Sequence, residues 1–185
     1  MLTEGKPPDF LKRETDALTP ESIRATGRAL GLTQNAIWDL AAERIALLKA
    51  AIDRLGVTLN YNDFYWTNLA LRRREAGGPP ASKAIVFDYH LLGIGMRYSD
   101  CRNVTGALSG EAARAFWGVY GGVDPREATL DRPLATLYGL HVAARMDAFP
   151  RWAASSRERV LSGLLEEELT EAVALARSLV ETPVP

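Results

Sequence analysis

Apolar residues recur every three or four positions along most of the chain, which is the spacing of one face of an α-helix. The longest such stripe predicts a helix over Gln34–Leu55, with Thr33 as its N-cap and Gly56 as the residue that ends it. A shorter helix is predicted from Pro20 to Leu30, directly after Thr19 as N-cap. After a loose lead-in over residues 1–9, the chain is therefore expected to begin with helical structure.

The period of the apolar pattern changes after Gly56, where three short runs have the composition of β-strands. These runs are Val57–Leu59, Leu69–Leu71 and Ala84–Phe87. A Gly/Pro turn at residues 77–80 separates the second run from the third, as in a β-hairpin. The second and third runs are therefore predicted to form a small β-hairpin insert between helical regions.

The pattern is helical again from about residue 98 to the end. A break at residues 121–125 precedes a helix that Asp131 is expected to cap, with Pro133 in its first turn. The last helical stretch covers Ser156–Leu179. The predicted fold class is mainly α with a small β-hairpin insert.

Composition and charge exclude several classes of protein. With 185 residues, 47% apolar and 24% charged, the chain is typical of a folded globular domain. A net charge of -1 argues against a nucleic-acid or membrane partner held by bulk electrostatics. Cys101 is the single cysteine, so no internal disulfide can form, and no signal peptide or membrane-spanning run is recognised. A cytoplasmic location is the expectation.

The loop between the first two strand-like runs carries residues suited to phosphoryl transfer. Asp63 and Asn68 lie five positions apart in this loop, and Asp88 follows the third run. A carboxylate can orient an acceptor hydroxyl and take its proton, and carboxylate and amide oxygens hold Mg²⁺. Because Asp and Asn also favour turns, the alternative is that these three residues only tighten loops. The strand context favours Asp63 as catalytic base and Asn68 and Asp88 as metal ligands.

These motifs resemble those of the aminoglycoside phosphotransferase and choline kinase family. Asn62-Asp63 followed by Asn68 is similar to its H-[GN]-D-x-x-x-x-N catalytic loop, and Val86-Phe87-Asp88-Tyr89 is similar to its metal-binding strand. Residues 93–100, where glycines precede an Asp at the start of a helix, also resemble the family. The resemblance covers roughly residues 33–150. It implies a protein-kinase-like C-terminal lobe, with ATP and Mg²⁺ as cofactors and a small-molecule hydroxyl as acceptor.

Two departures from the family pattern qualify what the resemblance implies. Tyr61 stands where the family has a histidine that braces the metal-binding segment, so the tyrosine hydroxyl needs a partner of its own. The sixty residues before Tyr61 have a helical pattern and offer no counterpart to the family's N-terminal lobe. We therefore expect an N-terminal helical extension over residues 1–32, a kinase-like lobe over 33–185, and weak ATP binding by the chain alone.

Further candidate site residues surround these motifs. Tyr65 and Trp66 could stack on a substrate, although aromatic residues in loops more often anchor them to the core. His90 could line the site or be plain polar surface, and Glu167 belongs to an acidic run that could contact a cationic substrate or simply be solvated. The acceptor therefore stays open among aminoglycosides, choline-like alcohols, sugars and homoserine.

The absence of a recognisable N-terminal lobe leaves a second functional class open. A truncated or degenerate kinase-like domain would act as a non-catalytic module that binds a ligand or a partner. Apolar residues that would face the missing lobe need cover, because large apolar patches rarely persist on monomers. Either a homodimer or an N-terminal segment folded over its own chain is expected to provide it. The apolar residues available for this are Phe10, Leu11, Leu18, Ile23 and Leu30.

Overall fold

The computed structural model describes residues 10–71 and 84–182, and these residues are mainly helical. They form two compact units. The loop unit consists of residues 10–12, 58–71 and 84–123, and the helical unit consists of residues 13–57 and 124–182. The turn predicted at residues 77–80 lies outside the described residues.

The helices of the described residues are, in chain order, α1 (Pro20–Ala29), α2 (Ile37–Leu55), α3 (Arg97–Ala107), α4 (Gly110–Tyr120), α5 (Pro125–Ala143), α6 (Ala154–Leu161) and α7 (Leu164–Glu181). Single turns of 3-10 helix cover Glu14–Ala17, Trp66–Asn68 and Arg151–Ala153. The strands are β1 (Thr58–Asn60), β2 (Leu69–Leu71), β3 (Ala84–Val86) and β4 (Gly93–Gly95).

The first two helices of the helical unit begin and end much as the sequence predicts. Thr19 caps α1, since its hydroxyl accepts a hydrogen bond from the Ser22 N–H (3.1 Å) while the Ser22 hydroxyl accepts one from the Thr19 N–H (2.9 Å). α2 starts three residues later than predicted, where the Asn35 side chain accepts from the Ile37 N–H (3.0 Å). It ends at Gly56, whose φ of 85° suits a residue without a Cβ.

The core of the helical unit is mainly apolar. α2, α5 and α7 pack against one another, and α1 packs against α2 and α5. Leu18 and Ile23, two of the residues expected to provide cover, are buried within this unit, whereas Phe10 of the loop unit is 74% exposed. The most deeply buried aliphatic side chains of the unit are Leu18, Ile23, Ile37, Leu48, Leu130, Leu137, Leu140, Val160, Leu165 and Leu169.

The predicted start of the fifth helix was wrong. α5 begins at Pro125 and is capped by Asp124, whose carboxylate accepts from the Arg126 N–H (2.9 Å). Asp131 and Pro133 therefore lie inside the helix. Pro125 occupies the first helical position, where the missing N–H of a proline costs no hydrogen bond. The predicted last helical stretch is divided at Gly163, with φ 82°, into α6 and α7.

The loop unit contains two separate two-stranded antiparallel sheets in the described residues. β1 pairs with β4, with Leu59 opposite Ile94, and β2 pairs with β3. The sequence pattern did not predict β4, which offers a single isoleucine between two glycines. The Lys12 carbonyl accepts a hydrogen bond from the Ile94 N–H (3.0 Å), alongside Gly93. α3 packs against β1, and α4 packs against α3.

Candidate functional site

Asp63 lies on the loop that follows β1, and this loop is anchored to α3 by one carboxylate. The two Asp100 oxygens accept hydrogen bonds from the backbone N–H groups of Tyr61 and Asn62, each at 2.8 Å. Burial raises the pKa of Asp100 above its ordinary value, and the two N–H donors partly offset that rise. Asp100 thereby fixes the backbone immediately before Asp63.

Asn68 fixes the side chain of Asp63. Its Nδ2 donates to Asp63 Oδ2 at 2.6 Å and also lies 3.2 Å from the Asp63 carbonyl oxygen. The amide nitrogen therefore faces Asp63, and the amide oxygen points the other way, 3.4 Å from the Thr67 hydroxyl. One Asp63 oxygen is committed to Asn68, and the Asn68 oxygen is the atom suited to a cation.

Asp88 follows β3 in an uncommon backbone conformation. Its φ is 67°, and Asn62 beside Asp63 has a φ of 64°. Within residues 10–71 and 84–182 these are the two non-glycine residues with positive φ. Such conformations cost about 1–3 kcal/mol and concentrate at functional sites. Asp88 is itself one of the carboxylates that the sequence indicated, and Asn62 directly precedes the other one, Asp63.

Tyr61 connects the two segments. Its hydroxyl donates a hydrogen bond to the carbonyl oxygen of Phe87, the residue before Asp88, which is the partner that the sequence required. The ring is buried and meets the rings of Phe64 and Tyr89 edge-on, with centroids 4.7 and 5.6 Å away. Burial, followed by the nearby carboxylates of Asp63 and Asp88, raises the pKa of Tyr61, so the hydroxyl keeps its proton and remains a donor.

Asp63, Asp88 and His90 bring one ligand atom each to within 4.8 Å of one another. His90 Nδ1 lies 2.5 Å from Asp88 Oδ1, and both side chains are exposed. Two carboxylates at this separation repel each other unless a cation lies between them, and oxygen ligands favour hard divalent cations. Asp63 and Asp88 thus offer oxygen atoms of the kind that hard divalent cations prefer, although exposed acidic groups also lie this close without a cation, and His90 is the hydrogen-bond partner of Asp88.

A pocket of about 130 Å³ opens beside the same loop. Tyr65, which is 57% exposed, lines it, and none of its lining side chains is charged. The lining residues are Asn62, Phe64, Tyr65, Asn103, Gly106 and Ala107. The Asn103 side chain also reaches the Asn62 carbonyl oxygen (3.4 Å), which connects this pocket to the loop that carries Asp63.

The Asp63, Asp88 and His90 side chains lie close together, and Asn68 is hydrogen-bonded to Asp63; for His90 the sequence had left open whether it lines the site or is plain polar surface. Glu167 is exposed on α7 of the helical unit, and the side chain of Trp66 lies outside the described atoms. The sequence indicated Asp100 as part of the segment over residues 93–100 that resembles the family, but it did not predict the hydrogen bonds that Asp100 accepts from Tyr61 and Asn62.

Comparison with protein-family models, with curated proteins and with solved structures gives no match. Among the described residues, no helix combines the length and the apolar character needed to cross a membrane.

Proposed function

We propose that the loop unit carries the catalytic loop of an ATP-dependent phosphotransferase that acts on a hydroxyl of a small molecule, similar to aminoglycoside and choline kinases. The observation that supports this most is the convergence of Asp63 and Asp88, which come from separate segments, with Asn68 bonded to Asp63. The Tyr61 hydroxyl on the Phe87 carbonyl supports it further, because it braces the Asp88 segment where the family uses histidine.

Asp63 is proposed as the general base. Asn68 holds one of its oxygens, so the other is left to orient the acceptor hydroxyl and take its proton. A positioned base of this kind contributes about 10²–10⁴-fold to a reaction rate. The uncharged pocket beside the loop suits a small polar acceptor, which would enter next to Asn62 and Phe64.

The donor atoms fit Mg²⁺. The Asp88 and Asp63 carboxylates lie close together, and the amide oxygen of Asn68 is the further ligand that the family resemblance implies. Mg²⁺ bound by Asp88 and Asn68 would neutralise charge on the phosphates of ATP. A cytoplasmic location is part of this proposal.

The test separates metal binding from transfer. Purified chain is mixed with ATP, Mg²⁺ and a panel of hydroxyl acceptors, and ADP formation is measured for the wild type, Asp63→Asn, Asp88→Asn and the exposed control Asp147→Asn. We expect Asp63→Asn to lower the rate about 10²–10⁴-fold without unfolding the chain. Asp88→Asn should weaken Mg²⁺ binding measured by calorimetry, and the control should change neither quantity. Mg²⁺ affinity indifferent to Asp88 would contradict the proposal.

A non-catalytic binding module is the second candidate function. It is favoured by the apolar side chains around Asp88, where Ile85 is 57%, Phe87 44% and Tyr89 59% exposed. Because ATP binding by the chain alone is expected to be weak, the assay is run at ATP concentrations raised to saturation. Mg²⁺ binding that depends on Asp88, without ADP formation by the wild type for any acceptor under these conditions, would favour this candidate over the enzyme. A homodimer through this surface remains part of that candidate and would appear in light scattering.

A further inference from the structure

The pocket beside the Asp63 loop allows the class of acceptor to be named, an inference that rests on the proposed function. Its described lining consists of two asparagines, two aromatic rings, a glycine and an alanine, without a carboxylate or a cation. Two of these residues, Asn62 and Phe64, directly flank Asp63 in the chain, and the Tyr65 N–H donates to the Asp63 carbonyl oxygen at 2.7 Å. A molecule held in this pocket therefore lies next to the proposed base.

Asn103 offers the pocket a neutral hydrogen-bond donor. Its Oδ1 faces Arg102, since the Arg102 guanidinium can only donate and lies 2.8 Å away through Nη1. Nδ2 is therefore on the other side of the amide, 3.4 Å from the Asn62 carbonyl oxygen. An amide nitrogen has two hydrogens, and the second has no acceptor among the described residues. It can donate to an oxygen of a ligand, such as a hydroxyl.

The charges near the pocket disfavour a cationic acceptor. The charged group bonded to one of the described lining side chains is the Arg102 guanidinium, which repels a cation. Asp63 has one oxygen committed to Asn68, and in the proposed reaction the other takes the hydroxyl proton. An ammonium that loses water without gaining a partner of opposite charge is costly to bind. The pocket is therefore unsuited to the amino groups of aminoglycosides and to choline-like alcohols.

The aromatic lining favours a ring over an open-chain alcohol. The Phe64 ring already meets the Tyr61 ring edge-on, whereas the Tyr65 ring is 57% exposed and free to receive a ligand on its face. The C–H groups on one side of a sugar ring form an apolar surface that packs on such a face. Pockets for drug-sized molecules measure about 300–1,000 Å³, so the present one, of about 130 Å³, suits a single sugar ring.

We propose that the acceptor is a neutral monosaccharide. Its ring packs on Tyr65, one hydroxyl accepts from Asn103 Nδ2, and a second hydroxyl faces Asp63. In the transfer, the oxygen of the second hydroxyl forms a bond to the γ-phosphorus of ATP, and the bond from that phosphorus to the bridging oxygen of ADP breaks. The hydroxyl proton passes to Asp63, and the products are a sugar phosphate and ADP.

The test compares neutral sugars with amino sugars that differ from them at one group. The side-chain amide signals of Asn103 are recorded by NMR without ATP or Mg²⁺, while glucose, galactose or mannose is titrated and compared with glucosamine, galactosamine or mannosamine. The pH is held below neutrality so that the amino group stays charged. We expect at least one neutral sugar to shift the Asn103 signals saturably, and its amino counterpart to bind at least about tenfold more weakly.

Variants decide whether the response belongs to this pocket. Gly106 lines the pocket near the end of α3, and Gly118 lies on α4; a Cβ at either position meets nothing within 4 Å, so both positions accept a side chain. Gly106→Leu should occupy the pocket and abolish the saturable shift, whereas the matched control Gly118→Leu should leave it unchanged. Tyr65→Ala, at an exposed position, should weaken binding about three- to tenfold.

Three results would each overturn the inference: no saturable response to any neutral sugar, equal affinity for a sugar and its amino counterpart, or a Gly106→Leu protein that still responds. None of them touches the proposed function, because ADP formation with other acceptors and Mg²⁺ binding that depends on Asp88 are measured separately. A sugar that binds in this pocket but yields no ADP would instead contradict the transfer step and leave a binding site for a neutral sugar.

Discussion

The two units of this protein are stabilised in different ways. In the helical unit, side chains such as Leu48, Leu137 and Leu169 are at most 2% exposed and depend on apolar burial. In the loop unit, the segments that carry Asp63 and Asp88 are positioned by hydrogen bonds from a side chain to a distant backbone group. Apolar burial changes little when a side chain shifts slightly, whereas a hydrogen bond weakens when its distance or angle changes. The hydrogen bonds of the loop unit therefore fix the positions of these segments more precisely than apolar burial would.

The largest effect on stability is expected from the core of the helical unit. Leu169→Ala should lower the free energy of unfolding by about 2–5 kcal/mol, because Leu169 is fully buried on α7, which packs against α2 and α5. Urea unfolding followed by circular dichroism measures this. Leu161→Ala on α6 is the control, since Leu161 is 59% exposed and should change stability by no more than about 0.5 kcal/mol. Similar losses for both variants would refute a buried core at Leu169.

The next effect concerns the anchor of the loop that carries Asp63. Asp100→Asn leaves one acceptor oxygen for two N–H groups and should cost about 1–3 kcal/mol. Hydrogen exchange of the Tyr61 and Asn62 amides should accelerate more than exchange in α7. Asp39→Asn, which breaks an exposed ion pair with Arg24, is the control and should cost at most about 1 kcal/mol. Unchanged protection of both amides would show that the loop does not depend on Asp100.

Tyr61→Phe removes the hydroxyl that braces the Asp88 segment, and the expected loss of stability is about 0.5–1.5 kcal/mol. The Mg²⁺ affinity that the proposed function requires should fall as well, because Asp88 loses its fixed backbone. Tyr89→Phe is the matched control: Tyr89 also donates to a backbone oxygen, that of Val86 at 2.7 Å, but it is exposed. If calorimetry finds equal Mg²⁺ affinity for both variants, the Tyr61 hydroxyl does not brace the Asp88 segment.

The smallest effect is a pH dependence in the helical unit. Burial first, and the charge of Arg145 second, lower the pKa of His141 in the folded chain, so the unfolded chain binds the proton more readily. The stability that His141 contributes is therefore complete above about pH 6.5 and is lost as pH falls through its lowered pKa. His141→Gln should reduce the acid slope of the unfolding free energy, by at most about 1.4 kcal/mol per pH unit.

Unfolding curves for the wild type and for His141→Gln, recorded over the same pH range, check this difference. Above the ordinary histidine pKa both proteins carry a neutral side chain at position 141, so a constant offset there is the internal control. A difference that stays constant down to acid pH would contradict the lowered pKa.

The helical unit was predicted well where one local pattern decides the outcome. The apolar stripe and Gly56 located α2, and Thr19 with Pro20 located α1, because caps and periodicity act within a few residues. The predicted start of α5 was wrong because two segments each have an Asp followed by a Pro, the pattern of a helix start. These are Asp124 with Pro125 and Asp131 with Pro133. β4 was missed because its pairing with β1 is a contact between distant segments.

The candidate site was predicted in its residues but not in its supports. Asp63, Asn68 and Asp88 follow from spacing and strand context, and the structure brings them together. The Tyr61 hydroxyl donates to Phe87, which lies 26 positions further along the chain. The Tyr61 N–H donates to Asp100, which lies 39 positions further along. Bonds over such separations depend on how the chain folds back, which no local pattern specifies.

The contact at Gly93 has a consequence for how this sequence can vary. A Cβ at this position would lie 2.4 Å from the Lys12 carbonyl oxygen, a distance that Cβ atoms in folded proteins essentially never show, and 3.0 Å from Asn62 Nδ2, which is also a tight contact. Gly118 on α4 has nothing within 4 Å of the same atom. In a library of random single substitutions selected for folding, position 93 should retain glycine, whereas position 118 should accept other residues. Mutational tolerance near the candidate site is thus limited by backbone crowding as well as by its chemistry.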